Sequence, residues 1–448
     1  MNEFCYHFTI NKRIFFMENK LKVLKVFLFI VVFFVLSFIC AFLFKDDTNS
    51  YSRALTHEFY RQDNIGILFC GASHVSHGMD PRIADKEFGK NTFNTGTPSQ
   101  GINGTYAIIR QALKSYKVSK IYLETDFAIT CREPELPLKM GKSDFIVQSF
   151  LKDPAIKFQF IKENSSSSNI LNAFLPIGKD KLMTLSPKKF ILKLKSVLTG
   201  NYFKYTYGSK DSGYAGKGCV LDYEQIENGT FSNDKFEAPF KPVASYWKKY
   251  VERIAALCKE NNVELVFYSM PGSDFYLHEK GDYDVFYNEM NSFINGLGYD
   301  YYDFNLCKPK FQMEDSDYSD DNHLNAKGIE KFSHIFCDFF TGKVSKDNMF
   351  YSSYKEKTSS QEHKIYGLLV IKSENGGSFE IIPMTNISDK SIITYDVSIE
   401  TSSGNEILAE KTGKTVFDLS SGTSGKIFVK SYVNGLLNNS VNENYTAF

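Results

Sequence analysis

The chain has 448 residues, 43% hydrophobic and 23% charged, with a formal net charge of zero. That length exceeds one small domain, and that composition supports packed cores rather than wholesale disorder. Charge balance argues against the basic face of a nucleic-acid binder, and eight scattered cysteines without a C-x-x-C pair give a zinc or redox site little support.

Residues 23–44 are almost entirely Val, Leu, Ile and Phe, broken by Lys25. Such a run crosses a hydrocarbon core of roughly 30 Å at 1.5 Å per residue. Lys12, Arg13, Lys20 and Lys22 precede it. The positive-inside rule puts residues 1–22 in the cytoplasm and everything after 44 outside, in a single-pass cell-membrane protein. A cleaved signal peptide is the rival reading, but no small-x-small site follows the run, and Ile39 spoils Ser37-Phe38-Ile39-Cys40 as a lipoprotein signal.

Residues 45–63 read as a connector holding a short helix. Beyond it, strand and helix patterns alternate. Residues 64–70 form a strand, 81–88 a helix, 92–94 a brief strand, 104–116 a helix and 120–124 a strand. The alternation resumes with a helix over 244–261, a strand over 263–269, a helix over 283–297, a strand over 299–304 and a helix over 325–340. This βαβ order implies an α/β domain over 64–343, a mainly parallel sheet with helices on both faces. It is interrupted at about 130–241 by an insertion with helices over 144–159 and 187–198 and an irregular, Gly- and Tyr-rich run over 205–237. After 344 no helical period is visible. Short strands over 365–372, 378–384, 391–399, 406–410, 415–419 and 426–433, separated by turn residues, describe a small all-β, sandwich-like module over 344–448.

Chemistry concentrates in two places. Gly71-Ala72-Ser73-His74 follows an apolar strand, and a strand's carboxyl end is where open α/β sheets carry their sites. Asp320-Asp321-Asn322-His323 lies in a polar loop before the last helix. Together they supply a nucleophile (Ser73), a base (His323) and an orienting carboxylate, Asp320 or its competitor Asp321. Each also has an ordinary reading: Ser73 and Asp320 suit helix caps, and His323 a surface histidine. His74 and His77 lie near Asp80 and Asp126, but that spacing is weak support for a metal. No metal or other cofactor is expected, and His74 reads as pocket lining. Ser99-Gln100-Gly101 is a substrate contact or a plain turn. Asn103-Gly104-Thr105 and Asn228-Gly229-Thr230 fit glycosylation sequons. The tyrosines at 202, 205, 207 and 214 are candidates for a sugar-stacking wall.

Gly71-Ala72-Ser73, Asn94-Thr95-Gly96, and Asp320-x-x-His323 with Leu324, Asn325 and Gly328 resemble the SGNH/GDSL hydrolase superfamily. The similarity is to its membrane-anchored branch, which includes teichoic-acid D-alanylation and alginate O-acetylation proteins. The resemblance implies a flavodoxin-like three-layer fold and a Ser73–His323–Asp320 triad. It also implies an oxyanion hole from the Ser73 and Gly96 N–H groups. The family's third donor is an Asn after the third strand. Here Glu124-Thr125-Asp126 stands there, with Asn103 as a substitute at the wrong offset. His74, Asn103, Thr125 and Asp126 are therefore candidate pocket residues. The implied activity is acyl transfer or ester hydrolysis on a cell-envelope glycan, with a membrane-bound O-acyltransferase as partner. The alternatives are a stand-alone carbohydrate esterase and a non-catalytic assembly or glycan-binding protein.

Overall fold

The computed structural model describes residues 2–48, 50–205, 213–225, 241–279, 281–373, 377–419 and 424–446. Tyr207 and the sequon at 228–230 lie outside these. Helix α1 (Asn2–Phe44) contains a stretch, Lys20–Phe44, long and apolar enough to span a membrane, and none of that stretch's most apolar window is buried against the rest of the protein. The chain leaving α1 is fastened at once. The Asp46 N–H donates to Leu182 O at 2.7 Å, and the Thr184 N–H to Phe44 O at 2.9 Å. Buried Asp47 pairs with the buried Lys193 ammonium and accepts the Tyr202 hydroxyl at 3.0 Å. Helix α2 (Tyr51–Phe59) then buries Leu55 and Phe59 in the main core.

Strand β1 (Ile67–Cys70) leads into the single turn α3 (Ser73–Ser76) and then α4 (Pro81–Phe88). Helix α4 has its sequence-expected bounds because Pro81 opens it, Asp80 caps the Arg82 N–H, and Gly89 leaves it at φ 62°. Strand β2 (Thr92–Asn94), α5 (Ile102–Ser115), β3 (Lys120–Glu124) and the single turn α6 (Phe127–Thr130) follow. The insertion holds α7 (Lys142–Phe150), α8 (Pro154–Asn164), α9 (Ile170–Phe174), α10 (Pro187–Leu198) and the hairpin of β4 (Tyr214–Gly216) and β5 (Cys219–Val220). The single helix expected over 144–159 is two. Pro154 cannot continue α7, and Asp153 caps α8 by accepting the Ala155 and Ile156 N–H groups at 2.9 Å. Then come α11 (Ser245–Glu260), β6 (Glu264–Ser269), α12 (Asp274–Glu279), α13 (Tyr283–Gly296), β7 (Tyr301–Asp303) and α14 (Ala326–Phe340).

The five strands pair in parallel in the order β2-β1-β3-β6-β7. In order of appearance this is 2-1-3-4-5, with the switch point between β1 and β3. Leu68, Cys70, Ile121, Leu123 and Phe267 face a core shared with α5, α11 and α13. Ile67, Phe69, Tyr122 and Tyr268 face α4 and α14. The strands read as continuous apolar runs because helices cover both faces. On the α14 side Phe336 centres an aromatic cluster, with ring centroids 4.9 Å from Tyr122, 5.1 Å from Tyr268 and 4.5 Å from Phe340.

Two short helices, α15 (Lys346–Met349) and α16 (Tyr354–Ser360), precede the β region, where no helical pattern was expected. Strands β8 (Ile365–Lys372), β9 (Ser378–Thr385), β10 (Ile393–Thr401), β11 (Gly404–Thr412), β12 (Val416–Asp418), β13 (Ser424–Val433) and β14 (Leu436–Thr446) follow. They form antiparallel sheets ordered β12-β9-β8 and β11-β10-β13-β14, which share one core. Strand β14 was not expected, because its Asn-rich sequence carries little β propensity; its pairing with β13 supplies the register. Phe275 of α12 packs against Tyr366, Leu369 and Met384, joining the β region to the α/β domain.

Truncating Phe336 to Ala is expected to cost about 3–5 kcal/mol. Thermal melting of the purified chain should show the α/β transition lowered by roughly 6 °C or more.

Candidate active site

Ser73 follows the carboxyl end of β1, in a turn held by buried contacts. A Cβ on Gly71 would lie 2.4 Å from Val75 Cγ2 and 3.0 Å from Glu124 Cβ, so only glycine lets the turn lie against β3. The fully buried Asn94 side chain donates to Val75 O at 2.6 Å and Met79 O at 3.2 Å, and its Oδ1 accepts the Gly96 N–H at 2.9 Å. One amide thus ties the end of β2 to the segment that carries Ser73. Asn94 stands in the Asn94-Thr95-Gly96 motif, where the sequence alone assigns it no role. A buried-strand position occupied by an amide was the signal.

The partners come from the loop before α14. Asp320 Oδ1 accepts the N–H groups of Asn322 at 3.0 Å and His323 at 2.7 Å, which folds the loop around its carboxylate. The same carboxylate meets His323 Nδ1 at 2.8 and 3.0 Å. Partial burial alone would raise the Asp320 pKa. The His323 ring and the two backbone donors outweigh it and hold the carboxyl down at about 2. Ionised, Asp320 can only accept, so the proton sits on Nδ1 and the lone pair of Nε2 faces outward. Ser73 Oγ lies 2.9 Å from that Nε2. Between the two candidate carboxylates, Asp320 meets the ring, while the Asp321 carbonyl accepts the Ser273 N–H. This geometry lets Ser73 lose its proton to His323 as it attacks an electrophile.

Behind Ser73 lies a buried ionisable group. His74 Nδ1 is 3.5 Å from Glu124 Oε1 and 3.9 Å from Asp126 Oδ1. Burial alone would lower the His74 pKa; Asp126 and Glu124 override it and raise it to about 9. Burial pushes the Glu124 carboxyl upward. His74 thus stands as the cationic counterpart of the two acidic side chains near Ser73. Asp126 also caps α6 by accepting the Ala128 N–H at 3.1 Å. His77 has its ring 5.0 Å from that of His323, and burial, then His323, lowers its pKa to about 4.

Other expected residues sit differently. The Gly96 N–H is committed to Asn94 Oδ1, so an oxyanion could use it only by displacing that bond. A Cβ there would meet Ala72 O at 2.3 Å, so the glycine serves close packing. The Ser73 N–H is at the first helical position, where no intrahelical acceptor exists. Thr125 points along the sheet, its hydroxyl 2.7 Å from Ser269 Oγ. Asn103 donates to Asp144 at 3.0 Å and Asn164 at 2.8 Å. Its amide is buried and spent, which removes both the substitute-donor and the glycosylation reading in this fold. Among the described residues the tyrosine wall does not form. Tyr202 is buried on Asp47, Tyr214 is buried with its hydroxyl on Glu58 at 2.6 Å, and Tyr205 stacks on His57. Gln100 is buried, while Ser99, Gly101 and Asn103 line a cavity of about 830 Å³ with Arg132, Asp144 and Tyr246, and none of the triad residues is in its wall. Among the described residues no His, Cys, Asp and Glu cluster is arranged to hold a metal.

No protein-family model matches the chain, and no curated protein sequence matches it.

His74 makes stability depend on pH. Its folded pKa of about 9 exceeds the ordinary 6.5, so its contribution is complete below pH 6.5 and is lost as pH rises toward 9. His77, with a folded pKa of about 4, is neutral in the fold throughout that window, and its unfolded form finishes titrating just above pH 6.5, so the upper part of the window is free of it. Melting temperature is expected to fall between these pH values, and to fall less in His74→Gln. Parallel slopes for the two proteins would refute the assignment.

Proposed function

We propose that this protein is a membrane-anchored, extracytoplasmic acyl transferase or esterase of the SGNH/GDSL type, acting on O-acyl groups of a cell-envelope glycan. The observation that carries the reading is the unbroken chain from Ser73 Oγ through His323 to Asp320, at 2.9 and 2.8 Å. The order of the parallel strands and the entry of Ser73 straight from β1 agree with the flavodoxin-like, three-layer arrangement that the resemblance implies. The apolar stretch Lys20–Phe44 supports the anchor, and the basic residues before it support a cytoplasmic amino terminus.

In this reading Ser73 Oγ attacks the ester carbonyl while its proton passes to His323 Nε2. The C–O bond of the leaving alcohol breaks, and His323 returns the proton to that oxygen. The acyl group is then an ester of Ser73. A second hydroxyl, from the glycan or water, gives its proton to His323 and attacks this ester, and Ser73 recovers its hydrogen. Asp320 keeps the imidazole in the competent tautomer. The Ser73 N–H serves the developing oxyanion. With Gly96 committed and no Asn after β3, that charge is held by fewer donors than in the family pattern. Losing one such donor costs about 10²–10³ in rate. This favours transfer with a partner, a membrane-bound O-acyltransferase, over rapid solitary hydrolysis.

Purified full-length chain should be labelled by a fluorophosphonate at Ser73, and Ser73→Ala should abolish labelling and any hydrolysis of activated acetyl esters. Asp320→Asn should lower the rate about 10⁴-fold through the wrong tautomer. Absence of labelling in the folded wild-type chain would instead support a non-catalytic assembly role. Fast hydrolysis without a partner would support the stand-alone esterase.

Topology is tested separately. A reporter that works only after export, fused after Lys343, should be active. A cytoplasmic reporter active at that position would overturn the orientation and the envelope substrate.

A further inference from the structure

A second cavity, of about 410 Å³, opens where α1 ends, and its wall carries Lys45, Arg53, Arg61 and Lys152. Lys45 is the first residue after α1. Arg53 and Arg61 come from α2 and the turn after it, and Lys152 from the break between α7 and α8. The cations are positioned rather than loose. The Arg53 guanidinium donates to Tyr202 O and lies 3.7 Å from the Tyr202 ring centroid. The Lys152 ammonium lies 3.7 Å from the Tyr60 ring centroid.

Three of these charges converge on one reporter. His57, also in the wall, has its proton affinity lowered first by burial and then by Arg61, Arg53 and Lys152. The carboxylates nearby are committed elsewhere. Asp47 is 3.8 Å from Lys45 but pairs with buried Lys193 and bonds Tyr202. Asp46 pairs with Lys189, Asp153 with Lys114, and Glu58 bonds Tyr214. Among the described residues none pairs with Arg53, Arg61 or Lys152. Hydroxyls of Ser52 and Thr56 border the same space. Positive charge in excess, hydroxyl groups and a headgroup-sized volume are what a phosphate requires.

We propose that this cavity seats the phosphate of an anionic phospholipid headgroup in the leaflet from which α1 emerges. The proposal rests on α1 spanning the membrane and is independent of the Ser73 chemistry. Juxtamembrane lysines and arginines each favour an anionic surface by a fewfold, and here they enclose a site instead of forming a diffuse patch. The same phosphate chemistry could be met by free inorganic phosphate, and the experiment separates the two sources.

Full-length chain would be reconstituted in phosphatidylcholine vesicles containing a minor share of phosphatidylglycerol, and the lipid retained after gentle extraction measured by native mass spectrometry. Wild type should retain phosphatidylglycerol well above its bulk share. The double variant Arg61→Gln/Lys152→Gln, which alters exposed side chains, should lose up to about thirtyfold of that enrichment. Ser73→Ala should keep it. Equal retention of both lipids by wild type would overturn the proposal. Inorganic phosphate bound by wild type and lost in the double variant, without lipid preference, would assign the cavity to soluble phosphate and also overturn it. A chain that does not enter vesicles would refute the anchor itself, which flotation detects before any lipid is counted.

Discussion

The site depends on one buried amide. Asn94 ends β2, and its side chain gives both hydrogens to carbonyl oxygens of the segment that begins at Ser73 and its oxygen to Gly96. A buried amide with its donors and acceptor satisfied is rigid, because every displacement leaves a polar group unpaired in a dry interior. Gly71 and Gly96 then permit the approach that the amide enforces. The position of Ser73 is therefore set by its own strand and by the neighbouring strand. The opposing half of the site is organised by the same device with a charge in it: Asp320 folds its loop around itself and fixes the imidazole.

The sheet was legible because its strands carry the pattern of burial on both faces, and the bounds of α4, β2 and β3 agree with those read from the residues. Ser73, Asp320 and His323 were legible because strand-end and pre-helix positions bring them together once the strand order is given. What local pattern could not convey was occupancy of hydrogen bonds. Gly96 reads as a free donor in sequence, but its N–H is taken. Asn103 reads as an available amide, but Asp144 and Asn164 hold it. The insertion was read only coarsely, because α7 and α8 meet at a proline that a periodicity window smooths over. Strand β14 escaped because its register comes from its neighbour, not from its own residues.

Burial also organises the charges. His74, Glu124 and Asp126 form a group that would be intolerable singly and is compensated collectively. The departure from the family pattern after β3 is thus accompanied by a cation that the nucleophile segment itself supplies. The two histidines that follow Ser73 are driven in opposite directions by their surroundings, His74 by two carboxylates and His77 by burial beside His323. Identical side chains three residues apart are thus pushed toward opposite charge states.

The junction after α1 has a mechanical consequence. Phe44, Asp46 and Asp47 are each bonded to the insertion, and the Ser50 N–H donates to Asp47 O, so the apolar helix is fastened to the folded body before α2 begins. A flexible leash would let a catalytic head sweep a volume that grows with linker length. With α1 in a bilayer, this protein has no such leash; its head rides at a fixed altitude and heading above the lipid. Its working range is a thin slab parallel to the surface. Any partner that meets this head then does so by a two-dimensional search, governed by lateral diffusion and by how far that partner reaches down to the slab.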